Sequence, residues 1–417
     1  MAQPKWMIYG AGGFSGRLIA EEAVRRGHQP VLAGRRPESI YRLAERLGCR
    51  WMCFPLKEVG QVRENIRGLR LVLNCAGPFS QTAKVLAQAA VAARVHYLDI
   101  TGEIEVIEYL SWLGGQAAGQ GVSLLPAVGF GVVPTDCLAA RLADKFPASQ
   151  WLRIAFTADR SPSRGTAKSM WEGHLRGGRI RWAGRLEPLP LGKLVWDVDF
   201  PSGRRRCLAI PWGDLATGYR STNIPNIVTY AAFPRLLVGI LRGLYRATHP
   251  IDALRRGGKG VGEGFPKPVE GADPQSASKD LAVNLQGLKD LGGSGDSGGI
   301  KQEEAEAPES DEFGPTKRLL RAIGWKVIDW FYRDPRSEEV EEARAEIVVE
   351  IGKSTQACAR AAITTPGGYR FTAVSALAAV EKCLSQPPPP GFWTPSRAFG
   401  PEFVLSLPGV EVVSLPD

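Results

Sequence analysis

One stretch near the start of the chain decides the fold: Trp6-Met7-Ile8-Tyr9-Gly10-Ala11-Gly12-Gly13-Phe14-Ser15-Gly16. Its first four residues are apolar, which predicts a short buried strand. A glycine-rich turn follows, and beyond it apolar residues recur at helical spacing: Ile19, Ala20, Ala23 and Val24. The stretch therefore predicts a strand, a tight turn and a helix in direct succession.

Glycine serves three purposes in such a turn when a dinucleotide binds over it. Gly10 permits the tight turn, Gly12 and Gly13 let the backbone approach a pyrophosphate, and Gly16 allows close packing of the helix. The helix N-terminus also offers unpaired N–H groups and a positive dipole to the phosphates. We therefore predict a cofactor-binding set in this turn: Gly10, Gly12, Gly13, Phe14, Ser15 and Gly16. A purely structural turn is the alternative.

The second strand indicates which dinucleotide binds. The segment Pro30 to Ala33 is strand-like and ends in Gly34-Arg35-Arg36, where an NAD-binding protein would place an acidic residue for the ribose 2′-hydroxyl. Two guanidinium groups at this place can form charge-assisted hydrogen bonds with a 2′-phosphate. We therefore predict NADP(H) as the cofactor, with a solvated basic turn as the alternative.

Further strand patterns predict a parallel sheet. They lie at residues 71–74, 97–100 and 122–125, separated by helical patterns at residues 82–93 and 104–118. This alternation predicts an α/β fold, an N-terminal Rossmann domain with a doubly wound parallel sheet. Such sheets bind ligands at the carboxyl ends of their strands, so Asn74, Ala76, Gly77 and Pro78 join the predicted cofactor site.

Three polar residues lie at the end of the predicted strand 97–100 and just after it. Asp99, Thr101 and Glu103 lie at the same predicted sheet edge, so they are our candidates for substrate orientation or proton transfer. Hydride transfer itself belongs to a nicotinamide, and a conspicuous catalytic motif is not required of the protein. Loop hydrogen bonding and helix capping are the alternative roles for Asp99 and Thr101.

The length of 417 residues predicts more than one domain. Residues 1–150 form the predicted Rossmann domain. Residues 151–256 and 316–417 form a second α+β domain for substrate binding or dimerisation, since regular βα alternation stops at Trp151. Residues 257–315 are rich in Gly, Ser and Pro and carry an acidic run, which predicts a disordered insertion.

Two segments that flank this insertion have basic, amphipathic patterns: Pro234–Thr248 and Thr316–Arg333. One interpretation is a monotopic anchor on an anionic membrane or lipid droplet surface, where arginine and lysine meet headgroups and tryptophan meets the interface. The other is a pair of helices packed on the core or on a second subunit, as in a homodimer.

Composition excludes several classes of protein. The seven cysteines form no C-x-x-C pair and the four histidines are scattered, so we expect no disulfide framework and no metal site. No signal peptide or membrane-spanning run is evident, and we expect an intracellular, cytoplasmic protein. The net charge of +9 is dispersed and no nucleic-acid-binding module is recognisable, so we expect no nucleic-acid partner.

Several motifs together resemble the saccharopine dehydrogenase-like oxidoreductases, a group that includes the trans-acting enoyl reductases. The resemblance covers these motifs: the glycine-rich turn, Gly34-Arg35, Asn74 with Gly77-Pro78-Phe79, residues 97–103, 129–136, 365–369, 389–395 and 405–410. The chain departs from the group at Gly12, where Thr or Ser is usual, and at Gly131-Val132, where Asp-Ser is common.

The leading hypothesis is an NADP(H)-dependent oxidoreductase that transfers hydride to or from a C=C or C=N bond, in a hydrophobic or lipid-derived small molecule. The alternative is a catalytically silent NADP-binding protein that associates with lipid or membrane. Neither the substrate nor the direction of reaction follows from the sequence.

Overall fold

The computed structural model describes residues 6–157, 162–233, 238–239, 314–331 and 333–414. Within these ranges the chain forms two sheets with flanking helices. The prediction of an α/β fold with a Rossmann domain and a second domain is confirmed.

The first sheet is parallel throughout. Six of its strands come from the N-terminal part of the chain: β1 (Trp6–Tyr9), β2 (Val31–Gly34), β3 (Trp51–Cys53), β4 (Leu71–Asn74), β5 (His96–Asp99) and β6 (Ser123–Leu125). Their spatial order is β6-β5-β4-β1-β2-β3, so the direction of winding reverses between β1 and β4. Ligands of doubly wound sheets bind in the crevice at such a reversal.

Six helices connect these strands and lead out of the sheet: α1 (Phe14–Arg25), α2 (Pro37–Leu47), α3 (Val59–Ile66), α4 (Phe79–Ala93), α5 (Ile104–Gly119) and α6 (Val133–Lys145). Strands β1, β2 and β4 are buried along their whole length, because helices cover both faces of a parallel sheet. The apolar runs seen in the sequence are therefore the centre of the core.

The second sheet is mixed and has nine strands. Its members are β7 (Trp151–Phe156), β8 (Gly178–Trp182), β9 (Arg185–Leu189), β10 (Val195–Phe200), β11 (Gly203–Ile210), β12 (Asn226–Ala232), β13 (Arg344–Lys353), β14 (Gln356–Pro366) and β16 (Glu411–Ser414). The main path is β10-β11-β12-β7-β13-β14-β16, and β8 joins β12 to β9. Among the strands described here, only the pair β7 and β12 is parallel.

The remaining helices accompany this second part of the chain: α7 (Arg164–Arg176), α8 (Asp214–Thr222), α9 (Pro315–Phe331), α10 (Ser337–Glu342), α11 (Gly368–Ser385) and α12 (Pro395–Phe399). A 3₁₀ turn at Val404–Ser406 precedes β16. Helix α9 packs on α7, and α11 packs on α1 of the first domain.

One correction concerns the C-terminal boundary. The prediction assigned residues 316–417 wholly to the second domain, but β15 (Gly391–Phe392) pairs with β6 and extends the first sheet. The Gly391 N–H donates to the Val122 carbonyl at 2.8 Å, and the Trp393 N–H donates to the Leu124 carbonyl at 2.9 Å. The edge of β6 needs such partners for its backbone groups, which a sequence pattern of two residues does not reveal.

Two predictions fall outside the described residues. The disordered insertion at 257–315 lies there except for its last two residues, and α9 begins at Pro315. The basic segment Pro234–Thr248 also lies there, apart from residues 238–239. Among the helices that the structure describes, none is both long enough and apolar enough to cross a bilayer.

Candidate functional site

The glycine-rich turn lies over the reversal point of the first sheet. Gly10 and Ala11 donate their N–H groups to the Ala33 carbonyl at the end of β2, at 2.7 and 3.1 Å. Gly10 has a φ of +89°, and a Cβ atom there would lie 2.6 Å from the Ala76 nitrogen. Glycine is therefore required by both conformation and space at this position.

Two further glycines stand where the turn has no room for a side chain. A Cβ at Gly16 would lie 2.9 Å from the Ala11 Cα, and one at Gly12 would lie 2.7 Å from the Ser39 hydroxyl oxygen. Gly13 is the N-cap of α1, and no side chain caps that helix. The uncapped first turn, with Phe14, Ser15 and Gly16, leaves N–H groups and a positive dipole for an anion. This cradle fits a cofactor pyrophosphate.

The end of β2 lies beside this cradle. Arg35 and Arg36 are exposed, and the Ser39 hydroxyl donates to the Arg36 carbonyl at 3.1 Å. Because Ser39 also faces Gly12, the two arginines and this hydroxyl adjoin the turn on one side. The arrangement fits a 2′-phosphate. Ser39 was not among the predicted site residues, although its place three residues after Arg36, in the first turn of α2, was a signal.

Asn74 shapes the second wall of the cradle. Its buried side-chain amide donates to the Tyr97 and Thr82 hydroxyls, both at 3.2 Å, and its carbonyl oxygen accepts the Ala76 N–H at 3.0 Å. These bonds hold the loop Ala76-Gly77-Pro78, in which the Gly77–Pro78 peptide is cis, against Gly10. The predicted cofactor residues of β1 and β4 are therefore brought together.

Asp99 is fully buried at the end of β5. Its carboxylate accepts three hydrogen bonds, from the Tyr97 hydroxyl at 2.9 Å, the Thr101 N–H at 3.0 Å and the Ala127 N–H at 2.9 Å. Burial raises the pKa of Asp99 to about 6, although these donors oppose the shift. The contacts join β5 to the loop after β6, so they support a positioning role for Asp99.

Glu103 joins the two domains. Its carboxylate accepts the Phe79 and Ser80 N–H groups at the start of α4, at 2.9 and 2.8 Å, and the Ser169 hydroxyl of α7 at 2.8 Å. Thr101 positions it, because the Thr101 hydroxyl oxygen accepts the Glu103 N–H at 3.0 Å. Burial raises the pKa of Glu103 to about 7, against the effect of the three donors. Glu103 therefore changes protonation near neutral pH.

A second carboxyl group lies next to Glu103. Glu172 of α7 is fully buried, accepts the Ser80 hydroxyl at 2.9 Å and lies 3.5 Å from the Arg176 guanidinium. Its other carboxylate oxygen, Oε1, has no hydrogen-bond partner among the residues that the structure describes. Burial raises the pKa of Glu172 as well. Glu172 lies 69 positions after Glu103 in the chain and belongs to no motif, so the proximity of the two carboxyl groups could not be predicted from the sequence.

An aromatic wall borders the loops that follow β5 and β6. The Trp212 indole N–H donates to the Gly131 carbonyl at 2.6 Å, and the Trp212 ring lies 5.5 Å from the Phe156 ring. A Cβ at Gly102 or at Gly131 would lie 3.5 Å from the Trp212 ring. The indole therefore occupies the space beside Gly102 and Gly131.

A separate buried polar cluster links α6, α8 and α12. Asp214 accepts the Thr135 hydroxyl at 2.5 Å, and Asp136 accepts the Ser221 hydroxyl at 2.5 Å and the Ser396 N–H at 2.8 Å. Burial, together with the nearby Asp136 charge, raises the pKa of Asp214 to about 8. No group of three or more potential metal ligands occurs among the described residues.

Comparison with known proteins agrees with this geometry. Residues 6–121 match the family model described as the saccharopine dehydrogenase NADP binding domain. Residues 6–121 therefore form an NADP-binding domain of the saccharopine dehydrogenase type. The resemblance noted in the sequence and the NADP(H) assignment are thereby confirmed.

Curated relatives align with the same part of the molecule. A saccharopine dehydrogenase-like oxidoreductase from Bos taurus is 29% identical over 150 residues, covering 31% of this chain and 35% of the relative. A trans-acting enoyl reductase from Mycobacterium bovis is 30% identical over 138 residues, covering 31% of this chain and 33% of the relative. The alignments thus span about a third of the relatives' length.

One solved structure covers nearly the whole fold. Apo saccharopine dehydrogenase (L-Glu forming) from Saccharomyces cerevisiae superposes with a TM-score of 0.54, over 99% of this chain and 100% of that chain. The sequence identity is 12%, so this likeness establishes the two-domain architecture alone.

Proposed function

We propose that this protein is an NADP(H)-dependent oxidoreductase that transfers hydride to or from a C=C or C=N bond of a hydrophobic small molecule. The observation that carries the proposal is the continuous cradle formed by Gly10, Gly16 and Ala76, with Arg35 and Arg36 beside it. The nicotinamide supplies the hydride when the cofactor is bound, and the protein provides binding, orientation and proton chemistry.

Different residues are assigned to binding, orientation and proton chemistry. The first turn of α1 would hold the pyrophosphate, while Arg35, Arg36 and Ser39 would hold the 2′-phosphate. Asp99 is assigned to positioning, since its oxygens are engaged by neighbouring donors. Glu103 is assigned to holding or releasing a proton, because its pKa of about 7 lies near working pH.

The aromatic wall supports a hydrophobic substrate. Trp212, Phe156 and Phe130 form a chain of ring contacts at 5.5 and 6.0 Å next to the loops after β5 and β6. Such surfaces bind apolar groups by excluding water, while a few polar groups fix orientation. A C=C or C=N bond flanked by apolar substituents matches this combination.

Calorimetric titration of NADPH and NADH tests the cofactor part. We expect wild-type protein to prefer NADPH, and Arg35→Ala with Arg36→Ala to lose about a hundredfold in NADPH affinity, since two charge-assisted hydrogen bonds are removed. NADH affinity should change little. The matched control is Arg63→Ala with Arg67→Ala, two exposed arginines of α3 and its C-cap that lie beside Glu64. Equal losses in both double variants would contradict the assignment.

A catalytically silent NADP-binding protein is the second candidate. It is favoured because the carboxylates of Asp99 and Glu103 already accept hydrogen bonds from protein donors, which leaves them less available to a substrate. Single-turnover oxidation of bound NADPH, followed by absorbance with α,β-unsaturated and imine substrates, separates the two candidates. Turnover that falls in Glu103→Gln while NADPH affinity is retained would support the enzyme; binding without turnover of any substrate would support the silent protein.

A cytoplasmic location and a homodimeric state remain predictions.

A further inference from the structure

Two carboxyl groups are buried next to each other where α7 of the second domain meets α4 of the first. Glu172 is completely buried, and Glu103 is 9% exposed. Ser80 contacts both, since its N–H donates to Glu103 at 2.8 Å and its hydroxyl donates to Glu172 at 2.9 Å. Because one residue binds both groups, a negative charge on each would be strongly unfavourable away from water. We name Glu103 and Glu172 the carboxyl pair.

Hydrogen-bond donors are divided unequally within the carboxyl pair. Glu103 accepts three hydrogen bonds, two of them from the N-terminus of α4, where the helix dipole favours a negative charge. Glu172 accepts one from Ser80, and its Oε1 atom has no partner among the residues that the structure describes. A buried carboxylate oxygen without a donor is costly, whereas a protonated carboxyl group carries no charge. The donors therefore suffice for one carboxylate of the pair but not for two.

Positive charge near the pair is divided among several glutamates. The Arg176 guanidinium lies 3.5 Å from Glu172 and 3.9 Å from Glu105, so its charge is shared between them. Burial raises the pKa of Glu172 more than the charges of Arg176 and Arg321 lower it. Burial, and then the Glu172 charge, raise the pKa of Glu103 to about 7. One proton therefore stays on the carboxyl pair near neutral pH.

Ser169 connects the carboxyl pair with the loop Ala76-Gly77-Pro78 of the cofactor cradle. Its hydroxyl donates to the Glu103 Oε1 atom at 2.8 Å, and a Cβ at Gly77 would lie 3.9 Å from the Ser169 oxygen. A hydroxyl group can accept a proton from one neighbour while it releases its own to another. Ser169 is therefore placed to carry a proton from Glu103 toward this loop.

We propose that the carboxyl pair stores the proton that accompanies hydride transfer, and that Ser169 passes it to the substrate. The inference rests on the proposed function and adds two residues of the second domain to it, Glu172 as a positioning residue and Ser169 as the proton carrier. During reduction, one end of the C=C or C=N bond gains hydride from the nicotinamide. The other end gains the Ser169 hydroxyl proton while that hydroxyl takes the Glu103 proton. The double bond becomes a single bond, the nicotinamide is oxidised, and water returns a proton to the pair.

Infrared titration of the full chain without substrate tests the carboxyl pair, through the C=O stretching band of protonated carboxyl groups. Subtraction of the Glu103→Gln spectra assigns the part of the band that belongs to Glu103. In Glu172→Gln, Glu103 should release its proton about 1 pH unit lower than in the wild type, because a neighbouring like charge is removed. All variants should keep wild-type NADPH affinity, which shows that they fold.

The matched control for the infrared titration is Glu346→Gln. Glu346 is 8% exposed, close to the 9% of Glu103, and its carboxylate also accepts two hydrogen bonds from one serine, Ser202. It lies on β13 of the second sheet and has no part in the proposed site. The band of Glu103 should titrate in Glu346→Gln as it does in the wild type.

Single-turnover oxidation of bound NADPH, with α,β-unsaturated and imine probes, tests the role of Ser169. Ser169→Ala should react at least about tenfold more slowly, because proton transfer to the substrate loses its carrier. Ser169→Thr keeps the hydroxyl and should restore the rate. Rescue by threonine at constant NADPH affinity is not expected of a residue that only helps to dock α7.

The outcomes separate this inference from the proposed function. An unchanged titration of Glu103 in Glu172→Gln, with normal turnover, would overturn the carboxyl pair alone. A wild-type rate in Ser169→Ala would overturn the proton carrier alone. Absence of turnover in the wild type would refute the proposed function, and delivery of the proton with it.

Discussion

Replacement of Gly16 by alanine tests the steric reasoning behind the cofactor cradle. The added Cβ would lie 2.9 Å from the Ala11 Cα and from the Gly10 carbonyl carbon, and closer still to the Gly10 carbonyl oxygen. Carbon atoms pack best at about 3.5–4.0 Å, so α1 must move by at least about 0.6 Å relative to the turn. Overpacking of this kind costs roughly 1–3 kcal/mol.

Helix propensity alone predicts the opposite effect, namely that Gly16→Ala would stabilise the protein. Alanine in a helix is more favourable than glycine by about 1 kcal/mol. Gly115 provides the matched control, since it lies exposed in α5 and a Cβ there would meet nothing within 4 Å. Gly115→Ala should therefore stabilise the protein by about 0.5–1 kcal/mol, whereas Gly16→Ala should destabilise it by about 2 kcal/mol.

Urea unfolding followed by circular dichroism measures both changes, and NADPH titration measures the functional consequence. Gly16→Ala should bind NADPH at least about tenfold more weakly, because the first-turn N–H groups move with the helix. If Gly16→Ala were as stable as Gly115→Ala and bound NADPH with wild-type affinity, the predicted clash between the new Cβ and the backbone of Gly10 and Ala11 would be refuted.

Three further predictions concern buried polar groups. Because the pKa of Glu103 is raised from 4.5 to about 7, the folded protein binds a proton that the unfolded chain releases, so stability should fall by about 3 kcal/mol as pH rises through that window. When the urea midpoint is plotted against pH, the Glu103→Gln variant should lack this decrease. Parallel curves for the variant and the wild type would contradict the prediction. The pKa of Asp214 is raised from 3.8 to about 8, so its protonation also makes the folded protein less stable as pH rises. The stability of Asp214→Asn relative to that of the wild type should therefore increase over this pH window, as measured by thermal melts at each pH. Asn74→Ala should lose about 2–3 kcal/mol, since buried partners of its amide lose their hydrogen bonds, and an unchanged urea midpoint would show that water replaces them.

The sequence predicted the centre of the first sheet well. Strands at 71–74 and 6–9 were located at their observed bounds, because a strand buried on both faces is a continuous apolar run. The edge of the same sheet was missed. Trp51–Cys53 is only three residues long and partly exposed, and the polar helix Val59–Ile66 that follows has a weak apolar pattern.

The candidate site was predicted in part. Asp99, Thr101 and Glu103 were found because the carboxyl end of a strand can be read from local sequence. Their catalytic assignment remains a prediction, and the structure adds their contacts. Ser169 and Glu172 could not have been found, since they come from a helix of the second domain whose position depends on the docking of two sheets.

The sequence by itself determined the strand, glycine turn and helix at residues 6–25 and the basic end of β2, because backbone sterics and the demands of a phosphate act within a few residues. Tertiary structure alone decided that Glu103 meets Ser169, that Gly391–Phe392 returns to the first sheet, and that Ile323 faces outward while Ile328 faces inward. Each of these outcomes depends on which surfaces are buried against each other when distant segments pack, and an amphipathic pattern does not specify its partner.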